Sequence, residues 1–237
     1  LTRTMFDAEG YRTFIYMRPN TSAADRLTVF LEGDGVPWRA GIVPSTDPTT
    51  AHPIALRLLM RTPGAGAYVT RPCYHELPSE RCTPELWTNA RYSVEVVDAM
   101  AARVREAARL AAAREILLVG YSGGGTLALL IAERLDDVAG VVTLAANLDI
   151  QSWAEHHGYL PLESSLNPAA SDREHRWPEI HLMGGEDTVV PLATTASYFS
   201  RYPTARRWQF PQHGHVCCWV DEWETLWERI EAELGDE

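Results

Sequence analysis

Apolar residues in this chain gather in short runs that end in glycine-rich turns, and longer stretches with an apolar position every three or four residues lie between them. Leu27-Thr28-Val29-Phe30-Leu31 and Ile116-Leu117-Leu118-Val119-Gly120 lack the strict alternation of a half-exposed strand and fit strands covered on both faces. After a short lead-in, Tyr11 to Arg18 predicts a strand and Asn20 to Asp25 a turn. Further strands are predicted at Ala67 to Thr70, Val138 to Ala146, Ile180 to Gly184 and Arg207 to Phe210. The helical period predicts helices at Pro53 to Met60, Thr88 to Ala113, Thr126 to Leu135, Leu192 to Tyr202 and Trp219 to Leu234. In the second of these, Val94, Val97, Ala101, Val104 and Ala108 keep one face apolar. In the last, Trp219, Trp223, Leu226, Ile230 and Leu234 do so, and these tryptophans read as core packing rather than a ligand platform.

Strands alternating with helices in this way define an α/β fold, a mostly parallel central sheet with helices on both faces. With 237 residues and 46% hydrophobic content the chain builds one sizeable core, so 1–237 reads as a single domain. The interval Asn147 to Pro178, rich in His, Trp and Pro, breaks the alternation and is expected to form a small lid over the sheet edge.

Charge narrows the function classes. The 21 basic and 32 acidic side chains give a net charge of -11, which repels phosphate backbones and makes nucleic acid a poor partner. The longest apolar stretches, such as Val138 to Ala146, are far too short to span a membrane. Leu1-Thr2-Arg3-Thr4 is no signal peptide, and a leader or lipid anchor upstream stays open, as does the oligomeric state. Cys73 and Cys82 flank a turn-rich stretch that a disulfide would staple into a loop, whereas the adjacent Cys217 and Cys218 are poorly placed to bridge each other. The four cysteines allow three pairings. The reading adopted is an exported protein with a Cys73–Cys82 bridge; the alternative is four reduced, buried thiols in the cytosol.

The strongest chemical signal is Gly120-Tyr121-Ser122-Gly123-Gly124, a G-x-S-x-G sequence between a buried strand and an amphipathic helix. Such a turn lifts the serine hydroxyl clear of the sheet, and side chains at the glycines would collide with the neighbouring elements. The helix that follows points amide N–H groups at the place where negative charge develops. A serine hydroxyl is a weak nucleophile and needs a base oriented by a carboxylate. In the fold where such a serine turn is typical the acid and then the histidine follow it in the chain, so the partners are sought downstream. Asp187, after the strand Ile180 to Gly184, is the candidate acid, with Glu186 and Asp149 as alternatives. His215, in the loop before the last helix, is the candidate base, with His213 as the alternative. The oxyanion donors are expected to be the amides of Gly123 and of Asp34, the latter in the Gly33-Asp34-Gly35 turn after Leu31. The Asp34 carboxylate is expected to point away from the developing anion, and an ordinary glycine turn is the alternative reading. Gly33, Gly35 and Tyr121 are expected to border the substrate.

Together these residues resemble the α/β-hydrolase superfamily, over nearly the whole chain from Gly33-Asp34-Gly35 to His215. Several strings further resemble a bacterial group of exported or lipoprotein-type α/β hydrolases: Leu31-Glu32-Gly33-Asp34-Gly35, Arg71-Pro72-Cys73, Cys82-Thr83-Pro84-Glu85-Leu86-Trp87-Thr88, Ser165-Leu166-Asn167-Pro168 and His215-Val216-Cys217-Cys218-Trp219. Glu32 departs from the histidine that many esterases carry before the oxyanion glycine. The triad is expected to make the chain a serine hydrolase of carboxylic esters that needs neither metal nor organic cofactor, and the short lid interval predicts an open cleft for small or medium acyl groups. His156 and His157 lack ligand spacing and are placed on the lid surface. The alternatives are an acyltransferase or peptidase with the same triad, or a non-catalytic binding module on the same fold.

Overall fold

A computed structural model of the chain describes residues 1–8, 10–19, 24–76 and 79–235. Thr2–Ala8 (β1) and Tyr11–Met17 (β2) form an antiparallel pair, and Arg26–Leu31 (β3) follows. Trp38–Arg39 (β4) and Val43–Pro44 (β5) make a small hairpin outside the main sheet. Helix Ile54–Arg61 (α1) leads to Gly66–Val69 (β6), and a 3₁₀ turn at Pro84–Trp87 precedes the long helix Val94–Ala111 (α2). Next come Glu115–Tyr121 (β7), helix Gly123–Ala132 (α3), Val138–Leu144 (β8) and helix Ile150–His157 (α4). Glu179–Gly184 (β9), helix Ala196–Arg201 (α5), Arg206–Phe210 (β10) and helix Trp223–Gly235 (α6) complete the described chain.

The main sheet runs β1-β2-β6-β3-β7-β8-β9-β10 and is parallel from β6 to β10. Successive side chains of a strand point to opposite faces, so the unbroken apolar runs supply two cores at once. In β7, Ile116 and Leu118 enter the core beneath α2 and α3, while Leu117, Val119 and Tyr121 enter the core beneath α1 and α6. In β3, Leu27, Val29 and Leu31 face the first core and Phe30 the second, where its ring meets Trp223 edge-on at 6.4 Å. Trp219 and Trp223 are fully buried. The chain leaves β3 towards β6 on one side and returns to β7 on the other. A crevice opens at such a reversal, beyond the carboxyl ends of the strands.

Several boundaries differ from the sequence expectation. The lead-in is a strand, β1, which extends the sheet beyond β2. The long helix begins at Val94, not Thr88, because Ser93 caps it: the Ser93 hydroxyl accepts the Val96 N–H at 3.3 Å. Helix α3 begins at Gly123 rather than Thr126, and α6 at Trp223 rather than Trp219. Residues 20–23 of the predicted turn lie outside the described residues, as do 77 and 78 between Cys73 and Cys82. The interval read as a lid carries α4 and a 3₁₀ turn at Pro168–Ala170. It is tied down by Leu166 N–H on the Tyr92 carbonyl and by the Trp153 indole N–H on the Val189 carbonyl.

Candidate active site

Ser122 stands between β7 and α3 with φ 52° and ψ -125°. That backbone costs a side-chain-bearing residue roughly 1–3 kcal/mol and persists only where the surroundings enforce it. Here the enforcement is close packing. A side chain at Gly124 would strike the Leu31 carbonyl of β3, and one at Gly125 would strike Ala146 beyond β8. The Ser122 N–H is meanwhile held by the Leu144 carbonyl at 2.8 Å. Gly124 and Gly125 therefore let α3 lie directly on the sheet, leaving the Ser122 hydroxyl above the strand end.

The structure brings Ser122, His215 and Asp187 into one hydrogen-bonded chain. His215 Nε2 lies 3.0 Å from Ser122 Oγ, and His215 Nδ1 lies 2.8 Å from Asp187 Oδ2. The other Asp187 oxygen accepts the N–H groups of Val189 and Val190, both at 2.8 Å, so a carboxylate with no solvent exposure is fully bonded. The His215 carbonyl is fixed from two sides, by the Tyr121 hydroxyl at 3.1 Å and by the Trp219 indole N–H at 2.9 Å. The alternatives are used elsewhere. Glu186 is exposed. Asp149 caps α4 through the Gln151 and Ser152 amides. His213 is buried against Phe210 and Trp219, with Glu222 at 3.4 Å.

The expected position of the Asp34 side chain needs correction. Its carboxylate is not turned away: it lies against the Gly123 α-carbon, where any side chain would collide with it. Three groups answer its charge. Arg71 Nη2 is 2.8 Å away, Arg91 Nη1 is 2.9 Å away, and the Tyr92 hydroxyl donates at 2.7 Å. Burial alone would raise the Asp34 pKa, but Arg71, Arg91 and Tyr92 outweigh it and lower it to about 2. The Asp34 side chain thus acts as a neutralised brace between the Gly33 loop and the start of α3. The Gly33 N–H donates to Glu32 Oε1 at 3.1 Å. That commitment removes Gly33 as an oxyanion donor, so in this turn the donor would be the Asp34 amide. Gly33 is also in close contact with the nucleophile, since a side chain there would approach Ser122 Cβ to 3.3 Å. Gly35, at φ 65°, turns the loop where a side chain would enter the Pro48 carbonyl. Tyr121 is buried and supports His215.

Sequence reasoning missed four supporting residues. Arg71, Arg91 and Tyr92 are buried around Asp34, and no periodicity marks an arginine as buried. Glu32, noted only as a departure, accepts the Ala55 N–H at 3.0 Å and so ties the Gly33 loop to the first turn of α1. Burial pushes its pKa up to about 7 against the pull of the Gly33 and Ala55 amides. Cys73 is bonded to Cys82. Cys217 is bonded to Cys218, the pairing that their adjacency disfavoured. Among the described residues, no cluster of His, Cys, Asp and Glu could hold a metal, and no helix is long and apolar enough to cross a membrane.

The class this architecture defines is the α/β-hydrolase fold, and solved structures agree. An esterase from Pyrococcus furiosus matches with a TM-score of 0.72 at 13% identity, over 99% of this chain and 90% of that one. A proline iminopeptidase-related protein from Thermus thermophilus matches with a TM-score of 0.68 at 14% identity, over 99% and 97%. Est1E from Butyrivibrio proteoclasticus, solved with ferulic acid, matches with a TM-score of 0.68 at 11% identity, over 99% and 100%. No protein-family model and no curated protein matches the sequence.

Proposed function

We propose that the chain is a serine hydrolase that cleaves carboxylic esters of small or medium acyl groups through an acyl-enzyme. The observation that carries this reading is the unbroken chain from Ser122 Oγ through His215 to Asp187, at 3.0 and 2.8 Å. In the proposed reaction Ser122 attacks the ester carbonyl while His215 Nε2 takes the hydroxyl proton. Asp187 holds the ring by its other nitrogen and balances the imidazolium. The amides of Gly123 and Asp34 receive the oxyanion, and the Asp34 carboxylate, neutralised by two arginines, does not oppose it. His215 then returns the proton to the leaving alcohol, and water, activated by the same histidine, frees the acid. Esterase and peptidase-related names both occur among the structural neighbours, and the ester reading rests on the site's chemistry. The Cys73–Cys82 and Cys217–Cys218 bonds support export to an oxidising compartment, also as a proposal.

The test is labelling with a fluorophosphonate probe, wild type against Ser122→Ala, alongside hydrolysis of p-nitrophenyl acetate and butyrate. The expected result is labelling and turnover in the wild type and neither in the variant. A folded wild type that takes no label and turns over no ester overturns the proposal in favour of a binding module.

A further inference from the structure

Immediately behind Gly33 the structure holds a small cavity lined by Glu32, Gly33, Thr50, Tyr68, Arg71 and Tyr74, among others. With its open mouth it measures about 240 Å³, and its inner end has room for about one water-sized group. Gly33 borders both places: it lines the cavity, and a side chain on it would approach Ser122 Cβ to 3.3 Å.

Arg71 is 3% exposed, and its Nη2 bonds Asp34 and reaches the Glu32 carbonyl at 3.3 Å. Its Nε and Nη1 are buried without an acceptor in hydrogen-bonding geometry, with the Tyr74 side chain close by. Buried guanidinium donors without acceptors are costly, and they persist in native proteins where a ligand or water completes them. The local charge balance agrees: Arg71 and Arg91 are two buried cations that share one carboxylate, Asp34. Glu32 also borders the cavity, but its two oxygens already accept from the Gly33 and Ala55 amides. Burial also suppresses its charge, raising its pKa to about 7. The Arg71 guanidinium is held between the rings of Tyr74 and Tyr92, each 5.7 Å from it, so its direction is fixed.

We propose that this cavity is an anion subsite of the active site, in which the free N–H groups of Arg71 receive a carboxylate carried by the ester. The inference rests on the serine-hydrolase reading for its substrate class, though not for the anion site itself. A planar carboxylate suits a guanidinium edge with two donors, and an uncharged acyl tip would leave both donors unmet.

The experiment compares monoethyl succinate with ethyl levulinate, two ethyl esters of similar shape that differ in the charge at the far end of the acyl chain. A second pair, 3-acetoxypropionate and 3-acetoxypropionamide, places the charge on the alcohol side. In parallel, calorimetry measures succinate and acetate binding to Ser122→Ala and to Arg71→Gln. The wild-type comparison needs no Arg71 variant, so it stands if Arg71→Gln fails to fold. The expected result is a kcat/KM at least about tenfold higher for one charged ester over its neutral partner, with succinate or acetate binding to Ser122→Ala. That binding should be lost in a folded Arg71→Gln. The pair that shows the preference tells which side of the ester carries the carboxylate. Turnover of the neutral esters without preference, and with no anion binding, overturns the subsite and leaves the hydrolase reading intact. Anion binding with no ester turned over retains the subsite and overturns the hydrolase reading. Neither binding nor turnover overturns both.

Discussion

At Asp187 the two carboxylate oxygens have different work: one faces His215 and the other accepts two backbone amides. Asp187→Asn can place only one amide oxygen, so either the backbone amides lose their acceptor or the His215 ring meets an NH₂ group. The expected outcome is a fall in kcat on p-nitrophenyl acetate of about 10⁴-fold, with the circular dichroism spectrum unchanged. Tyr121→Phe is a milder case. It removes one of two donors to the His215 carbonyl, and the Trp219 indole keeps the other. The expected loss in kcat/KM is about tenfold or less, since one hydrogen bond contributes about 1 kcal/mol. A fall of a thousandfold would show that the tyrosine hydroxyl itself works on the substrate.

At the scale of elements, the turns carried most of what local pattern could not reveal. Helix α2 is closed by Ala112, an exposed residue with φ 48° and ψ 37°, a left-handed cap that usually falls to glycine. The left-handed backbone costs alanine roughly 1–2 kcal/mol, and glycine loses part of that gain through unfolded-chain entropy. Ala112→Gly is therefore expected to raise stability by about 0.5–1 kcal/mol, read as a higher urea midpoint at unchanged slope. The central strands β3 and β7 were legible because their apolar runs are nearly continuous, and β9 because Ile180, Leu182 and Met183 lead into a glycine turn. The strand β1 was not, since the alternation in Thr2–Ala8 is weak and β1 is itself the sheet edge, paired with β2 on one side. Ser122, Asp187 and His215 were legible because each follows a strand end. The Asp34 brace was not: Arg71 and Arg91 are contacts over long sequence separation, and a single sequence holds no trace of which carboxylate a buried arginine meets.

For the whole molecule, buried ionisable groups set a pH window. His175 lies between Glu133 and Glu179 and stacks on Tyr202 at 4.0 Å. Burial opposes its charge, but the two glutamates outweigh it and lift its pKa from 6.5 to about 9. Its contribution is full below pH 6.5 and is lost as pH rises through about 9. Glu32, raised from 4.5 to about 7, works in the same direction, and its charging costs stability between those values. On the acid side, burial is outweighed for Glu179 by His175 and His181, and for Asp34 by its arginines, so both fall to about 2. Their contributions are present above pH 3.8 and 4.5, the ordinary values for Asp and Glu, and are lost as pH falls towards 2. Tm should therefore peak at about pH 4.5 to 5 and decline on both sides, first through Glu32 and then, above pH 6.5, through His175. Glu32→Gln should flatten the decline between pH 5 and 7, by up to about 3 kcal/mol. A Tm that climbs steadily to pH 9 would contradict this assignment.

The loops after the last two strands hold two of the three residues of the proposed triad. Asp187 follows β9 and His215 follows β10, and β10 lies at the open edge of the sheet. Strand β9 meets β8 only from Val141 to Leu144, whereas β3 pairs with β7 along its whole length. Cooperative units open first where they are least anchored. The β9–β10 margin is therefore expected to exchange its amide hydrogens with deuterium sooner than β3 and β7. On gentle heating, reactivity at Ser122 should vanish while the far-ultraviolet spectrum still reports an intact sheet. Covalent labelling would then serve as an early-warning signal, registering the release of this margin before the rest of the fold gives way.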